Sequence, residues 1–468
     1  MPILNKIYTS LNISELNDLR LLVVIIFISS VLTAAIIRLI NLWSMCRISA
    51  AIGSDLSCEV YRKNLYQPYI VQVKRNSSTV ISSSTQELRF VVQCINLTLT
   101  GITNFLISIS IIFTLFLIDT KIAWVSVLTF MTLYIVFAFT IRKKLYFNSK
   151  MTTQAYHKQV KIIQEGLGGI RDLILNGSQF FYTKLYRDVD KPMRIYQQQS
   201  NFFSSSPRYL LEASAMVMIA IFSYIKSLDT NSNVNLISSL GALALGAQRL
   251  LPSIQLVYSS WANVKANIYT LDNVLRQIKQ EIPKDYIAKV KKLEFKGNIS
   301  IQNIYFKYDN DMIINNLSLT INKGDFIGLT GTTGGGKTTL VDLIMGLLIP
   351  TKGEILIDGY SLHDDNNFDL IASWRKLIAH VPQNIFLADK SFAENIAFGV
   401  PIDKLSIKRV KEVAKLSHID RFIESTTLGY DTTVGERGIR LSGGQKQRIG
   451  IARALYREPD ILVLDEAT

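Results

Sequence analysis

Cysteine is scarce in this chain of 468 residues. Cys46, Cys58 and Cys94 are odd in number and show no CxxC spacing, which argues against a disulfide framework and against a cysteine zinc site. Acidic residues are also in deficit, 37 against 51 Lys and Arg, for a net charge of +14. The basic residues gather between apolar runs rather than in one patch beside aromatics, so they fit a cytoplasmic membrane face and no nucleic-acid partner is expected. No internal repeat or low-complexity tract is present. No small-residue cleavage site follows the first apolar stretch, which is also too long for the hydrophobic region of a secretory signal.

What is abundant is long apolar sequence in the first half. Five stretches, 21–43, 96–118, 121–142, 208–227 and 235–257, approach the ~20 helical residues needed to cross a bilayer core. The segments 44–95 and 143–207 carry Arg47, Arg62, Lys63, Lys74, Arg75 and Arg89, then Lys143, Lys144, Lys150 and seven further basic residues, and are expected in the cytoplasm as extensions of the membrane helices. The hairpins "DT" at 119–120 and "LDTNSNVN" at 228–235 contain no Lys or Arg and should face outward. Residues 1–20 then read as an extracytoplasmic segment, 21–257 as the transmembrane domain and 258–297, with "KQEIPKDY" at 279–286, as a polar linker. From 298 onward the chain has the Gly-punctuated alternation of an α/β domain. A chain of this length is expected to hold at least two domains.

The chemistry lies in that second part. "GLTGTTGGGKTTLVDLIMGLL" at 328–348 reads as a strand, a glycine turn and a helix, with the spacing G-x-x-x-x-G-K-T at Gly331, Gly336, Lys337 and Thr338. Backbone N–H groups from Gly331 through Thr332, Thr333, Gly334, Gly335 and Gly336 to Thr339 would cradle phosphates, Lys337 would reach the outer ones, and Thr338 would offer a hydroxyl to Mg2+. The chain ends on "ILVLDEAT", read as a buried parallel strand that delivers Asp465 and Glu466. Beside a P-loop, Asp465 is expected to hold the metal and Glu466 to orient and deprotonate the attacking water. "LSGGQKQRIGIARAL" at 441–455 sets Ser442, Gly443, Gly444 and Gln445 at a helix start, a second anion site that has no nucleotide of its own if the P-loop has taken one.

On these residues the chain resembles the ATP-binding cassette (ABC) superfamily, whose signature sequence closes over the ATP held by the opposite subunit. The resemblance implies that Tyr308 in "IYFKY" stacks on adenine, that Gln383 in "HVPQN" contacts Mg2+ and the membrane domain, and that "TTVGERG" at 432–438 is a loop typical of exporters. It thereby implies a multi-domain protein, an all-α transmembrane bundle followed by an α/β P-loop nucleotidase at 298–468. That protein would bind ATP and Mg2+ and work as a dimer, taken as a homodimer, in the inner (plasma) membrane with the cassette in the cytoplasm. Exporters of this type have six helices and a switch histidine beyond the acid pair, so five helices and an end at Thr468 read as a fragment at both ends.

"SPRYLLEA" at 206–213 and "LGAQRLLPS" at 245–253 resemble stretches of lipid-linked-oligosaccharide flippases. Arg38, Glu212 and Arg249 fall inside expected spans, where ionisable groups are costly and often functional. They are candidates for the path of a pyrophosphate head group. The alternative is that Arg38 snorkels to the interface while Glu212 pairs with Arg249. An exporter of drugs, peptides or another lipid remains open, and a soluble ABC ATPase acting on DNA or ribosomes fits the apolar spans poorly.

Overall fold

The computed structural model describes residues 16–118, 120–227, 233–291, 293–364, 368–435 and 438–465. Residues 1–15, position 119, most of the second hairpin at 228–232, two residues of the exporter-type loop and Glu466 lie outside that set. The chain divides into two compact units, Met1–Leu65 with Arg75–Glu281, and Tyr66–Lys74 with Ile282–Thr468.

The first half is helical throughout: α1 (Leu16–Leu65), α2 (Tyr69–Lys74), α3 (Ser77–Ser82), a π-turn (Ser83–Glu87), α4 (Leu88–Ile118), α5 (Thr120–Gly168), α6 (Ile170–Leu175), α7 (Gln179–Ser205), α8 (Pro207–Ser227), α9 (Asn233–Ala266) and α10 (Ile268–Ile278). The apolar run of α1 exposes Leu21, Phe27, Ile37 and Leu39 as a lipid-facing surface would. Its few hydroxyls are satisfied inside the helix, where Ser29 donates to Ile26 O at 2.9 Å and Thr33 to Ser29 O at 2.8 Å. At 50 residues α1 is about 75 Å long, far more than a hydrocarbon core of about 30 Å, so it projects well beyond a membrane.

Among the described residues, three helical stretches are long and apolar enough to cross a membrane: Leu21–Leu65, Ser77–Leu117 and Ala123–Gly168. The other two expected spans are helical, within α8 and α9, but do not join these three. Small cores tie the bundle together. Phe130, Leu211, Ala215 and Leu250 unite α5, α8 and α9, while Val60, Leu88, Val91 and Val274 unite α1, α4 and α10. This corrects the polar linker expected from 258. Tyr258, Ala262 and Val274 are buried in helices that run to Ile278, the first unit extends to Glu281, and the connecting segment begins only at Ile282.

In the second unit, α11 (Lys284–Ile287) precedes β1 (Asn298–Tyr308) and β2 (Asp311–Asn322), a hairpin whose two-residue turn holds Asp309 at φ 50°. The P-loop helix α12 (Lys337–Ile344) follows, then β3 (Lys352–Ile357), β4 (Tyr360–Ser361), α13 (Phe368–Leu377), β5 (Ile378–Val381), α14 (Phe392–Ile396), α15 (Ile407–Leu416), α16 (Asp420–Glu424), α17 (Gly443–Tyr456) and β6 (Ile461–Leu464). An antiparallel sheet runs β2-β1-β3-β4, and β5 pairs with β6 in parallel from Ile378↔Ile461 to Val381↔Leu464. Alternate residues of β1, Ile299, Ile301, Ile304 and Phe306, join Leu340, Leu343 and Trp374 in one core. Phe392, Val410, Ile423 and Ile449 build a second core among α14 to α17.

Two expectations change here. The strand expected before the P-loop is not formed: residues 325–332 are irregular and Phe326 is 99% exposed. The terminal strand β6 is parallel as expected but not fully buried, since Leu462 and Leu464 are exposed. Among the described residues β6 is hydrogen-bonded on one side only, to β5, which leaves Leu462 and Leu464 uncovered.

Candidate ATP site

The P-loop forms because three glycines adopt left-handed backbone, Gly331 at φ 155°, Gly334 at 82° and Gly336 at 80°. No atom of the described residues lies within 4 Å of a Cβ built at Gly331 or Gly334, so a ligand could approach the backbone there. Thr332, Thr333 and Gly335 make the turn, closed by Gly335 N–H to Thr332 O at 3.0 Å, while Thr338 and Thr339 lie in the first turn of α12. Lys337 Nζ donates to Gly331 O and Thr332 O, both at 2.9 Å. It thus lies across the mouth of its own loop, where phosphate oxygens would compete for the same donors.

Tyr308 stands at the end of β1, half-buried against the first core, with its ring edge-on to Phe306 at 4.9 Å. The hairpin that carries it meets the P-loop, because a Cβ at Gly336 would come within 3.0 Å of Ile313 on β2. Parallel pairing of β5 and β6 brings the acid to the glutamine: Asp465 N–H donates to Val381 O at 3.0 Å, two residues before Gln383. Tyr308, the P-loop, Gln383 and Asp465 are therefore carried by elements around the first core.

Sequence reasoning passed over Asp342, a carboxylate within the apolar face of α12. Burial pushes it up to about 6, and the charge of Asp465 adds to the effect. The signal was a lone acid in "LVDLIM". Burial also raises Tyr69, with Asp342 and Tyr308 contributing, and lowers His380 against an opposing pull from Asp465.

Among the described residues no group of three or more His, Cys, Asp or Glu could hold a metal by itself. A Mg2+ site need not contain such a group, since the ion keeps waters and binds through one or two protein groups together with phosphate oxygens. Thr338, Gln383 and Asp465 are the residues that would supply those groups.

The signature residues belong to the second core. Ser442 caps α17 reciprocally with Gln445: Gln445 N–H donates to Ser442 Oγ at 3.3 Å, and Ser442 N–H to Gln445 Oε1 at 2.8 Å. Gly443 and Gly444 have open space around them, so the helix N-terminus is accessible to an anion. Arg453 fixes the helix behind, donating to Asn395 O and Phe386 O at 2.9 Å each. P-loop and signature are thus held on separate cores of one unit.

The candidate path residues lie on three helices, Arg38 on α1, Glu212 on α8 and Arg249 on α9. Arg38 and Arg249 are exposed. Glu212 does not take Arg249 as its partner. It pairs with Arg208, one turn earlier in α8, at 2.7 Å, because i,i+4 spacing makes that arginine its neighbour.

Residues 314–468 match the ABC transporter family. The fold is that of a bacterial Atm1-family ABC exporter solved with ATP bound, at a TM-score of 0.80 and 20% identity, covering 100% of this chain and 82% of that one. The chain thus has the fold of an ABC exporter, a helical first half followed by a region that matches the ABC transporter family. Among individual proteins, it is 33% identical over 369 residues to the heterocyst differentiation ATP-binding protein HepA of Nostoc sp. (strain PCC 7120 / SAG 25.82 / UTEX 2576), covering 76% of this chain and 57% of that protein. It is 40% identical over 231 residues to the leukotoxin translocation ATP-binding protein LktB of Pasteurella haemolytica-like sp. (strain 5943B), covering 48% of this chain and 31% of that one. The putative multidrug export ATP-binding/permease protein YgaD of Bacillus subtilis (strain 168) is 37% identical over 223 residues, 47% of this chain and 37% of that protein. The chain therefore spans between about a third and three fifths of the length of these relatives.

Proposed function

We propose that the protein is an ATP-driven exporter or flippase of the inner membrane that works as a dimer, its cassette in the cytoplasm, on an amphipathic substrate of the lipid-linked saccharide class. The observation that carries the ATPase reading is the assembly around one core of the P-loop, Tyr308 and the paired strand ends with Gln383 and Asp465. Lys337 leaves its own carbonyls to hold the outer phosphates, and Tyr308 offers its ring to the base. Mg2+, when bound, neutralises phosphate charge. Glu466 aligns water and accepts its proton. Because Ser442, Gly443 and Gly444 sit on the other core, each complete site would use the P-loop of one subunit and the signature of its partner, giving two equivalent sites by symmetry. The five spans 21–43, 96–118, 121–142, 208–227 and 235–257 would carry the motion into the bilayer as alternating access.

Support for the substrate comes from "SPRYLLEA" and "LGAQRLLPS", with Arg38 and Arg249 as candidate cations for a pyrophosphate head group and Glu212, paired with Arg208, as a third candidate of the path. A second reading, export of a peptide or a drug, is favoured by the names of LktB and YgaD. The test is reconstitution of the full-length transporter in liposomes holding a fluorescent lipid-linked oligosaccharide. ATP-dependent loss of the label to an external glycosidase, abolished by Glu466→Gln, is expected. Stimulation of ATP turnover by peptides or drugs without any lipid movement would overturn the substrate class.

A further inference from the structure

Arg375 on α13 joins three parts of the cassette unit that the ATP chemistry described above does not use. Its Nε and Nη2 donate to Gly346 O at 3.0 and 2.6 Å, and Gly346 is the left-handed residue (φ 69°) just past the end of the P-loop helix α12. Nη2 also lies 2.8 Å from Asp285 Oδ2, with both side chains mostly shielded from water. The guanidinium covers the ring of Tyr286 at 4.8 Å, and that ring meets Tyr66 edge-on at 6.4 Å. Tyr66 is the residue at which the chain leaves α1. At the far end of the same short segment, Lys74 pairs with Asp309 at 2.5 Å, beside Tyr308. Segment 66–74 is thus held at one end through the P-loop helix and at the other by the hairpin that carries Tyr308, while Tyr69 and Ile70 pack on the core between.

We propose that Arg375 is a positioning residue that latches Asp285, Tyr286 and, through them, segment 66–74 to the C-terminal end of the P-loop helix, so that nucleotide binding at Lys337 moves the stretch connecting α1 to α3. The arginine is suited to this by its planar fork, which serves a carbonyl and a carboxylate at once while its face stacks on an aromatic ring. A lysine has the charge but neither the fork nor the face. His363 nearby stays neutral at pH 7, since burial and Arg375 lower it to about 4, so the cation facing Asp285 there is Arg375.

The inference rests on the ATP-driven reading above, and its test keeps the two apart. The full-length transporter carrying Glu466→Gln to block turnover, with Cys46, Cys58 and Cys94 replaced by Ser, is spin-labelled at Val73→Cys, an exposed position in segment 66–74. ATP is the probe. Failure of this parent to bind ATP would count against the transport reading, whereas the comparison of parent and variant tests the latch. The ATP-induced change in label mobility is expected to fall about fivefold or more in Arg375→Ala and Arg375→Lys, while the ATP dissociation constant moves less than about twofold. Lys376→Ala should leave both unchanged. Tyr286→Leu keeps the Arg375 bonds to Gly346 and so spares the P-loop helix, yet it should reproduce the loss, which covers the case in which Arg375→Ala folds poorly. An unchanged mobility response in Arg375→Lys and Tyr286→Leu, or a loss matched by an equal loss of ATP affinity, would overturn the proposal.

Discussion

Lys337 and Glu466 enter the proposed cycle at different points, and their variants should separate accordingly. Lys337 touches the nucleotide before reaction, so Lys337→Ala should weaken ATP binding by about tenfold or more, whereas Glu466→Gln should keep binding within about twofold and remove turnover. Titration with a fluorescent ATP analogue checks this, and equal losses of affinity would count against both roles. His363 offers a test of stability instead. Its Nε2 is buried with no hydrogen-bond partner among the described residues, and burial lowers its pKa from 6.5 to about 4. Above pH 6.5 the folded and unfolded states are both neutral and the group is silent. Between 6.5 and 4 the unfolded chain takes up a proton that the folded chain refuses, so stability falls as the solution is acidified. Urea unfolding followed by the buried Trp374 should show a loss of about 2 kcal/mol from this residue by pH 4.5, absent in His363→Asn.

Elements are constrained most where backbones meet. At the start of β3, Gly353 has φ 84°, and a Cβ there would lie 2.3 Å from Asn303 O and 2.5 Å from Gln302 O on β1. Neither carbonyl can rotate away, because both belong to the strand that β3 pairs with. Gly353→Ala should therefore cost about 3 kcal/mol or more in the same unfolding assay. Helix caps allow a finer comparison. Ser442 and Ser391 both form reciprocal caps, with Gln445 on α17 and Glu394 on α14. Replacing either with Ala should lower stability by about 1 kcal/mol. Only Ser442→Ala should also depress ATP turnover in the full-length transporter. Equal turnover in the two variants would mean that the signature serine is a cap and nothing more.

For the whole molecule, the division of the site between two cores predicts complementation. In a dimer of one Lys337→Ala subunit and one Ser442→Ala subunit, one site carries both lesions and the other carries none. Purified mixed dimers should recover about half of the parent turnover, while each variant alone stays near background. Turnover no higher than that of the separate variants would argue that each chain completes its own site.

The glycine turn before α12 and the capped helix start at Ser442 were legible from spacing, because a backbone turn open to phosphate needs glycines at fixed offsets and a helix start needs a capping side chain, whereas Glu466 lies outside the described residues. Long apolar runs likewise announced membrane helices, since a bilayer imposes a minimum length. Pairing across the chain was not legible. Asp465 comes alongside Val381, two residues before Gln383, only because β5 and β6 run in parallel register, and Glu212 takes Arg208 rather than Arg249 because a neighbour one helical turn away is the nearer partner. Residues 258–278 look polar in sequence, yet they pack as helices once α1, α4 and α5 supply faces to bury Tyr258, Ala262 and Val274. The membership of Tyr66–Lys74 in the cassette unit, and the position of Arg375 between Gly346, Asp285 and Tyr286, depend on contacts between segments far apart in sequence. Local chemistry fixes which groups can bind nucleotide, whereas tertiary packing decides which other groups are close enough to respond.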